Sequence, residues 1–301
     1  MTYVKLLLTA VFWGGTFIAG RYVAGDVGPY SAGFLRFCVA VVLLLMLTLR
    51  AERGLPRLSL RQFAAVLLLG LSGVFAYNVF FFSGLKEVEA GRAAVIIANN
   101  PISITLFSVL LFREKIGVRR LLGILISVFG AIVVITRGNI AGIFSEGFGR
   151  GEFYIFCCVL SWTAYSLVGK AVMRKLSALV TVAYSSVAGT AMLLPLALRE
   201  GMPGDLAGYS RVDWLGLAYL GVFGTVVGFT WFYQGMSVIG PVRASQFINF
   251  VPVFAIILAF LILKEPLTRS LIVGTALVIT GVYLANARHN GGAAAAPEKA
   301  P

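Results

Sequence analysis

One stretch of this sequence occurs twice, and the repetition limits what the chain can fold into more than any other feature. Residues 92–114 read RAAVIIANNPISITLFSVLLFRE and residues 243–265 read RASQFINFVPVFAIILAFLILKE. A shift of 151 lays Arg92 on Arg243, Ile97 on Ile248, Pro101 on Pro252 and Glu114 on Glu265. The register runs on outward. Gly70, Gly73, Phe81 and Gly84 fall on Gly221, Gly224, Phe232 and Gly235, and Gly123 and Gly130 fall on Gly274 and Gly281. Nearer the N-terminus the shift is 149, with Trp13 on Trp162 and Gly20-Arg21 on Gly169-Lys170. Self-similarity over this length is the mark of an internal duplication.

Each copy is built from apolar runs near the length that crosses a bilayer as a helix. The chain is 59% hydrophobic and 12% charged over 301 residues. A soluble domain carries about twice that charged fraction. Ten spans follow, near 3–23, 30–50, 62–84, 90–112, 119–137, 151–172, 178–199, 212–235, 242–263 and 269–287. The fold class is therefore an all-α polytopic membrane protein. The first span is not expected to be a signal peptide, since no small-residue cleavage site follows it and it has its own copy. The organisation predicted is a first repeat over 1–140, a second over 141–287, and a disordered tail over 288–301. Five spans per copy is an odd number, so the copies enter the membrane in opposite senses. That is the inverted-repeat plan of many secondary transporters, with a solute site near mid-membrane between the copies.

Orientation follows from lysine and arginine in the breaks. With the N-terminus inside, 15 basic residues fall on the inner side and 9 on the outer, while 3 acidic residues fall inside and 9 outside. Both termini are expected in the cytoplasm. The net charge of +13 sits in those breaks and does not point to nucleic acid. Cys38, Cys157 and Cys158 lie in apolar runs with no disulfide or metal spacing, and the single histidine, His289, is in the tail. No metal site and no cofactor is expected. There is no GxxxxGK[ST] motif to drive transport with ATP.

The residues that could carry function sit inside the spans. Pro101 and Pro252 each remove a helix donor and free a carbonyl, at Ile97 and Ile248. Such a carbonyl is tolerated where protein or a water-filled cavity meets it, so the pair reads as a hinge or as a static kink. Asn99 and Asn100 are expensive near the midplane unless they face a cavity or a partner helix. Asn249 is their nearest counterpart in the second copy. Trp13 and Trp162 are displaced from the interfaces where tryptophan usually concentrates. Thr16, Phe17 and Tyr165 share their faces, and the third and eighth spans add Tyr77, Phe81, Trp231 and Phe232. Aromatic walls can hold an ammonium group or a flat apolar group; each of these residues could equally be packing. Arg36 is the one basic residue well inside a span; it could pair with a substrate carboxylate or cap carbonyls near the outer end, and snorkelling to the surface is its plainer role. Glu87, Glu89, Glu114 and Glu265 stand at helix ends, where ion pairs with neighbouring Lys or Arg are expected. No span holds a mid-membrane Asp or Glu, which argues against a drug-cation carrier and against a membrane-embedded enzyme.

On these residues the chain resembles the drug/metabolite transporter superfamily in its ten-span EamA-type branch. The resemblance rests on the first-span Trp13 segment, the FLRF segment at Arg36, and the twice-used proline helix ending in REKI and KEPL. It extends to bacterial amino-acid exporters, most nearly the YddG-type exporters of aromatic amino acids. It implies two inverted five-helix halves forming a basket, with the first, third, fourth, sixth, eighth and ninth spans around a central cavity, a place in the bacterial inner membrane, and efflux from the cytosol. The expected function is export of amino acids by alternating access, with the lipid bilayer as the other partner. A carrier of other small metabolites or drugs is the alternative, and the sequence leaves oligomeric state open.

Overall fold

A computed structural model describes residues 1–112, 117–139, 149–173, 175–239 and 246–286. The repeat ends at 113–116 and Arg243, the boundary placed between 140 and 141, and the tail lie outside these residues. Among the described residues every element is helical. The helices are α1 (Thr2–Asp26), α2 (Pro29–Glu52), α3 (Leu60–Leu69), α4 (Tyr77–Glu87), α5 (Ala90–Ile97), α6 (Asn100–Phe112) and α7 (Val118–Ile135). They are followed by α8 (Arg150–Val172), α9 (Ala178–Arg199), the short α10 (Met202–Asp205), α11 (Arg211–Tyr219), α12 (Gly228–Ile239), α13 (Val251–Leu258) and α14 (Arg269–Asn286).

Seven helical stretches are long and apolar enough to cross a membrane, and two shorter apolar ones, Phe247–Leu263 and Arg269–Ala285, match the ninth and tenth predicted spans. The fourth is split between α5 and α6. Large apolar side chains such as Met46, Phe63, Leu125, Phe129, Phe156, Leu198 and Leu215 are exposed on the outside of the bundle. A water-soluble protein does not leave so much apolar surface uncovered; lipid covers it here.

Glycines set the packing, and they do so in matched pairs. A β-carbon on Gly123 would stand 2.7 Å from the Gly281 carbonyl oxygen, and one on Gly130 would stand 2.8 Å from that of Gly274. These contacts make α7 and α14 antiparallel, and each contact maps onto the other under the 151-residue shift. The same exchange relates Gly84 against Ile155 to Gly235 against Leu6. It also relates Gly70 against Ser185 and Ala188 to Gly221 against Arg36 and Val39. Removing the side chain lets two backbones approach closely where lipid supplies no hydrophobic drive.

Two caps repeat in the same way. Glu200, at the end of α9, accepts hydrogen bonds from Ser31 N at 2.7 Å and Ser31 Oγ at 2.6 Å, at the start of α2. Glu52, at the end of α2, accepts one from Ser177 Oγ at 2.6 Å, at the start of α9. Each carboxylate lies at a helix N-terminus, where the orphan N–H groups and the dipole favour negative charge. Glu265 does likewise, accepting from the backbone N–H of Ala90 at 2.7 Å and of Gly91 at 3.0 Å. The expected Lys or Arg partner of Glu265 is thus replaced by the first turn of α5.

The prolines stand at breaks. α5 ends at Ile97, Asn99 N–H bonds back only three residues to Ile96 O, and α6 starts afresh at Asn100. In the second copy a 3₁₀ turn, Gln246–Phe250, precedes α13, and Pro252 lies in its first turn. Both prolines therefore open a half-helix, where a missing N–H costs nothing, and neither kinks a continuous one. Two π-helical segments, Gly70–Ala76 and Leu220–Val227, interrupt the third and eighth spans at matched positions. Such wide turns occur often at functional sites.

Candidate functional site: a central cavity

The broken and widened spans surround a cavity of about 890 Å³. Twelve of the fourteen residues expected from sequence contribute to its wall: Trp13, Thr16, Phe17, Tyr77, Phe81, Asn100, Pro101, Trp162, Tyr165, Phe232, Asn249 and Pro252. The other two do not. Asn99 turns away: its Nδ2 donates to Val95 O at 3.2 Å and its Oδ1 accepts from Ser127 Oγ at 2.8 Å. It ties the end of α5 to α7. Trp231 packs on Phe12, with ring centroids 5.8 Å apart, and lies under Lys5 Nζ at 5.8 Å. Consecutive residues point about 100° apart on a helix, so Phe232 and Phe229 reach the cavity and Trp231 does not.

The aromatic rings form one connected wall. Trp13 touches Phe232 and Phe229 with centroids 5.3 and 5.7 Å apart. Phe229 continues to Trp162 at 6.2 Å, and Trp162 to Tyr77 at 5.6 Å and Tyr165 at 5.4 Å. Tyr77 stacks on Phe81 at 5.9 Å, and Phe81 meets Phe17 at 5.5 Å. The wall thus crosses between the two sequence copies more than once. Gly224 is its pivot. Trp13 Nε1 donates to Gly224 O at 3.0 Å, and a β-carbon on Gly224 would press on Thr16 at 2.7 Å. Gly224 lies within the π-helical segment Leu220–Val227.

Arg36 does not snorkel. It is buried, reaches the cavity wall from α2, and donates from Nη1 to Asn78 Oδ1 at 3.0 Å and from Nη2 to Thr225 Oγ1 at 3.2 Å. Asn78 is itself fixed by a bond from Nδ2 to Val74 O at 2.6 Å, and Thr225 by one to Leu220 O at 3.1 Å. Asn78 and Thr225 were missed from sequence. A mid-span amide one residue beyond Tyr77 was the available signal, but only the fold brings it to Arg36.

The cavity reaches one face of the bundle. Gly169 and Met173 at the end of α8, Thr181 at the start of α9, Arg119 at the start of α7 and Tyr283 at the end of α14 all line it. Toward the opposite face, side-chain bonds tie the described helices together. Arg92 Nη2 bonds Glu152 Oε1 at 2.8 Å and Ile135 O at 2.8 Å. Arg21 donates to Leu85 O nearby in sequence to α5. Among the described residues no group of His, Cys, Asp and Glu could hold a metal ion.

The EamA-like transporter family model matches residues 1–136 and again 149–287. The chain belongs to the EamA-like transporter family. It is 30% identical over 285 residues to the uncharacterized transporter YyaM of Bacillus subtilis, covering 94% of this chain and 93% of that one. It is 26% identical over 286 residues to a protein of Streptantibioticus cattleyicolor named a probable terminal-alkyne amino-acid exporter, covering 94% and 92%. A crystal structure with 20% sequence identity superposes with a TM-score of 0.64 over 94% of this chain and 96% of the other, so the two share a fold. This protein is a multi-pass membrane transporter.

Proposed function

We propose that the transporter exports amino acids, aromatic ones among them, from the cytosol across the bacterial inner membrane by alternating access. The observation that carries this reading is the connected aromatic wall from Phe232 through Trp13, Phe229, Trp162 and Tyr77 to Phe81. Such a wall suits an apolar or aromatic side chain by stacking and an ammonium group by cation–π attraction. Asn100 Oδ1 is buried beside it with no hydrogen-bond partner, an acceptor available to the same ammonium. The name of the Streptantibioticus relative points the same way.

In this reading 1–140 and 141–287 are the two repeats, with both chain ends in the cytoplasm. The face reached by the cavity is the cytoplasmic one, and Pro101 and Pro252 mark the joints at which the half-helices turn as access alternates. The test is counterflow of radiolabelled phenylalanine, leucine and threonine in proteoliposomes holding the purified transporter. Saturable exchange that Trp13→Ala and Asn100→Ala impair is the expected outcome. No exchange of any amino acid, in vesicles where another labelled metabolite does exchange, overturns it.

A further inference from the structure

Arg36 is a buried cation with no anion beside it. A guanidinium has five N–H donors, and the two bonds from Arg36 go to the neutral oxygens of Asn78 and Thr225. Its Nε has no partner. Among the described residues the ion pair is Arg92 with Glu152, and no Asp or Glu lines the cavity. A charge held away from water without a counter-charge is costly, and mid-membrane charges face bundle interiors or pathways for that reason. The two neutral partners fix the plane of the guanidinium and leave N–H groups unspent. Position 36 maps onto Ser185 in the second copy, whose hydroxyl is occupied with Val182 O at 3.1 Å. This buried positive charge is therefore present in one copy only, and Arg119, the other basic residue of the wall, is exposed where the cavity reaches the face of the bundle.

Building on the amino-acid reading, we infer that Arg36 is the anchor for a carboxylate on the transported solute. A carboxylate accepts two parallel N–H bonds from a guanidinium and neutralises it. The wall of aromatic rings then faces the remainder of the solute. The cavity accordingly selects apolar solutes with a free carboxylate, and disfavours amides, esters and amines of the same shape. Asn78 and Thr225 are positioning residues for the anchor and do not themselves touch the solute.

The experiment is binding and exchange by one competitor series. Phenylalanine, phenylalaninamide, its methyl ester, phenethylamine and 3-phenylpropionate are titrated against the full-length transporter in detergent, read by fluorescence of Trp13 and Trp162, and as competitors in proteoliposome exchange. The free acid is expected to bind at least roughly tenfold more tightly than the amide, ester or amine, as for loss of one charged hydrogen-bond pair. Arg36→Gln is expected to abolish that preference, and Arg36→Lys to retain part of it. Thermal unfolding of both variants reports whether they fold, and the preference in the wild type stands as evidence without them. Equal binding of acid, amide and amine by the wild type, or an undiminished preference in a folded Arg36→Gln, overturns the anchor. If phenylpropionate binds and exchanges through Arg36 while no amino acid does, the anchor holds and the amino-acid reading falls. Binding of amines alone sinks both.

Discussion

Trp13 and Trp231 make the residue-scale point. Both are span-embedded tryptophans, and both looked like wall residues from sequence. Trp13 hands its indole N–H to Gly224 O and exposes its face to the cavity, whereas Trp231 is spent on Phe12 and Lys5. Trp13→Ala should therefore weaken solute binding roughly tenfold or more through lost stacking area, and Trp231→Ala should leave binding within about twofold. Titration by fluorescence of the remaining tryptophans separates the two. Asn99 and Asn100 teach the same lesson, since adjacent amides took opposite jobs. Asn99 closes the end of α5 against Ser127, and Asn100 keeps a free acceptor at the cavity. Residue type told us that polar atoms at this depth have duties; the helix break decided which duty.

At the scale of the elements, the pairing of α7 with α14 is the firmest joint between the copies. Its contact is backbone on backbone at Gly130 and Gly274, so an added side chain has nowhere to go. Gly130→Val should cost about 1–3 kcal/mol, the usual range for overpacking a tight contact. It should lower the thermal midpoint in detergent without changing the acid-over-amide preference, because Gly130 does not line the cavity. The glycine pattern was legible in the sequence through its repetition at a shift of 151. The π turns at Gly70–Ala76 and Leu220–Val227 were not legible. One extra residue per turn leaves no trace in hydropathy, yet Gly224 and Thr225, the partners of Trp13 and Arg36, lie within the second of these segments. The paired prolines were legible as interruptions, but a proline can either kink a helix or begin one. Only the 3₁₀ geometry before Asn100 and Val251 chose the second.

For the whole molecule, the property that matters is which face the cavity reaches. Arg92 on α5 and Glu152 on α8 join the copies at the opposite face, with side chains only 7% and 13% exposed. Glu152→Gln leaves Arg92 buried without its partner. Breaking such a pair costs about 3–5 kcal/mol where no other anion replaces it. The expected outcome is a shift toward opening of that face, read as increased labelling of an engineered Glu89→Cys by a membrane-impermeant reagent added from that side. Unchanged labelling together with unchanged stability would mean that the ion pair does not hold that face together.

The sequence by itself determined the membrane-spanning class, the duplication and the inverted sense of the copies. Those are properties of composition, run length and parity, and they survive projection onto one dimension. Most of the cavity wall was readable too, because aromatic, amide and proline residues are costly or unusual deep in a span and so announce themselves. What only the tertiary structure decided was which of those groups are already satisfied. Arg36, read along the chain, is a residue six or seven positions into a helix that could bend to the surface; in the folded protein Asn78 and Thr225 hold it inward from two other spans. Hydrogen-bond partners more than 40 or 180 positions apart leave no local signature, because what brings them together is close approach of backbones at glycines and not any preference of the residues themselves.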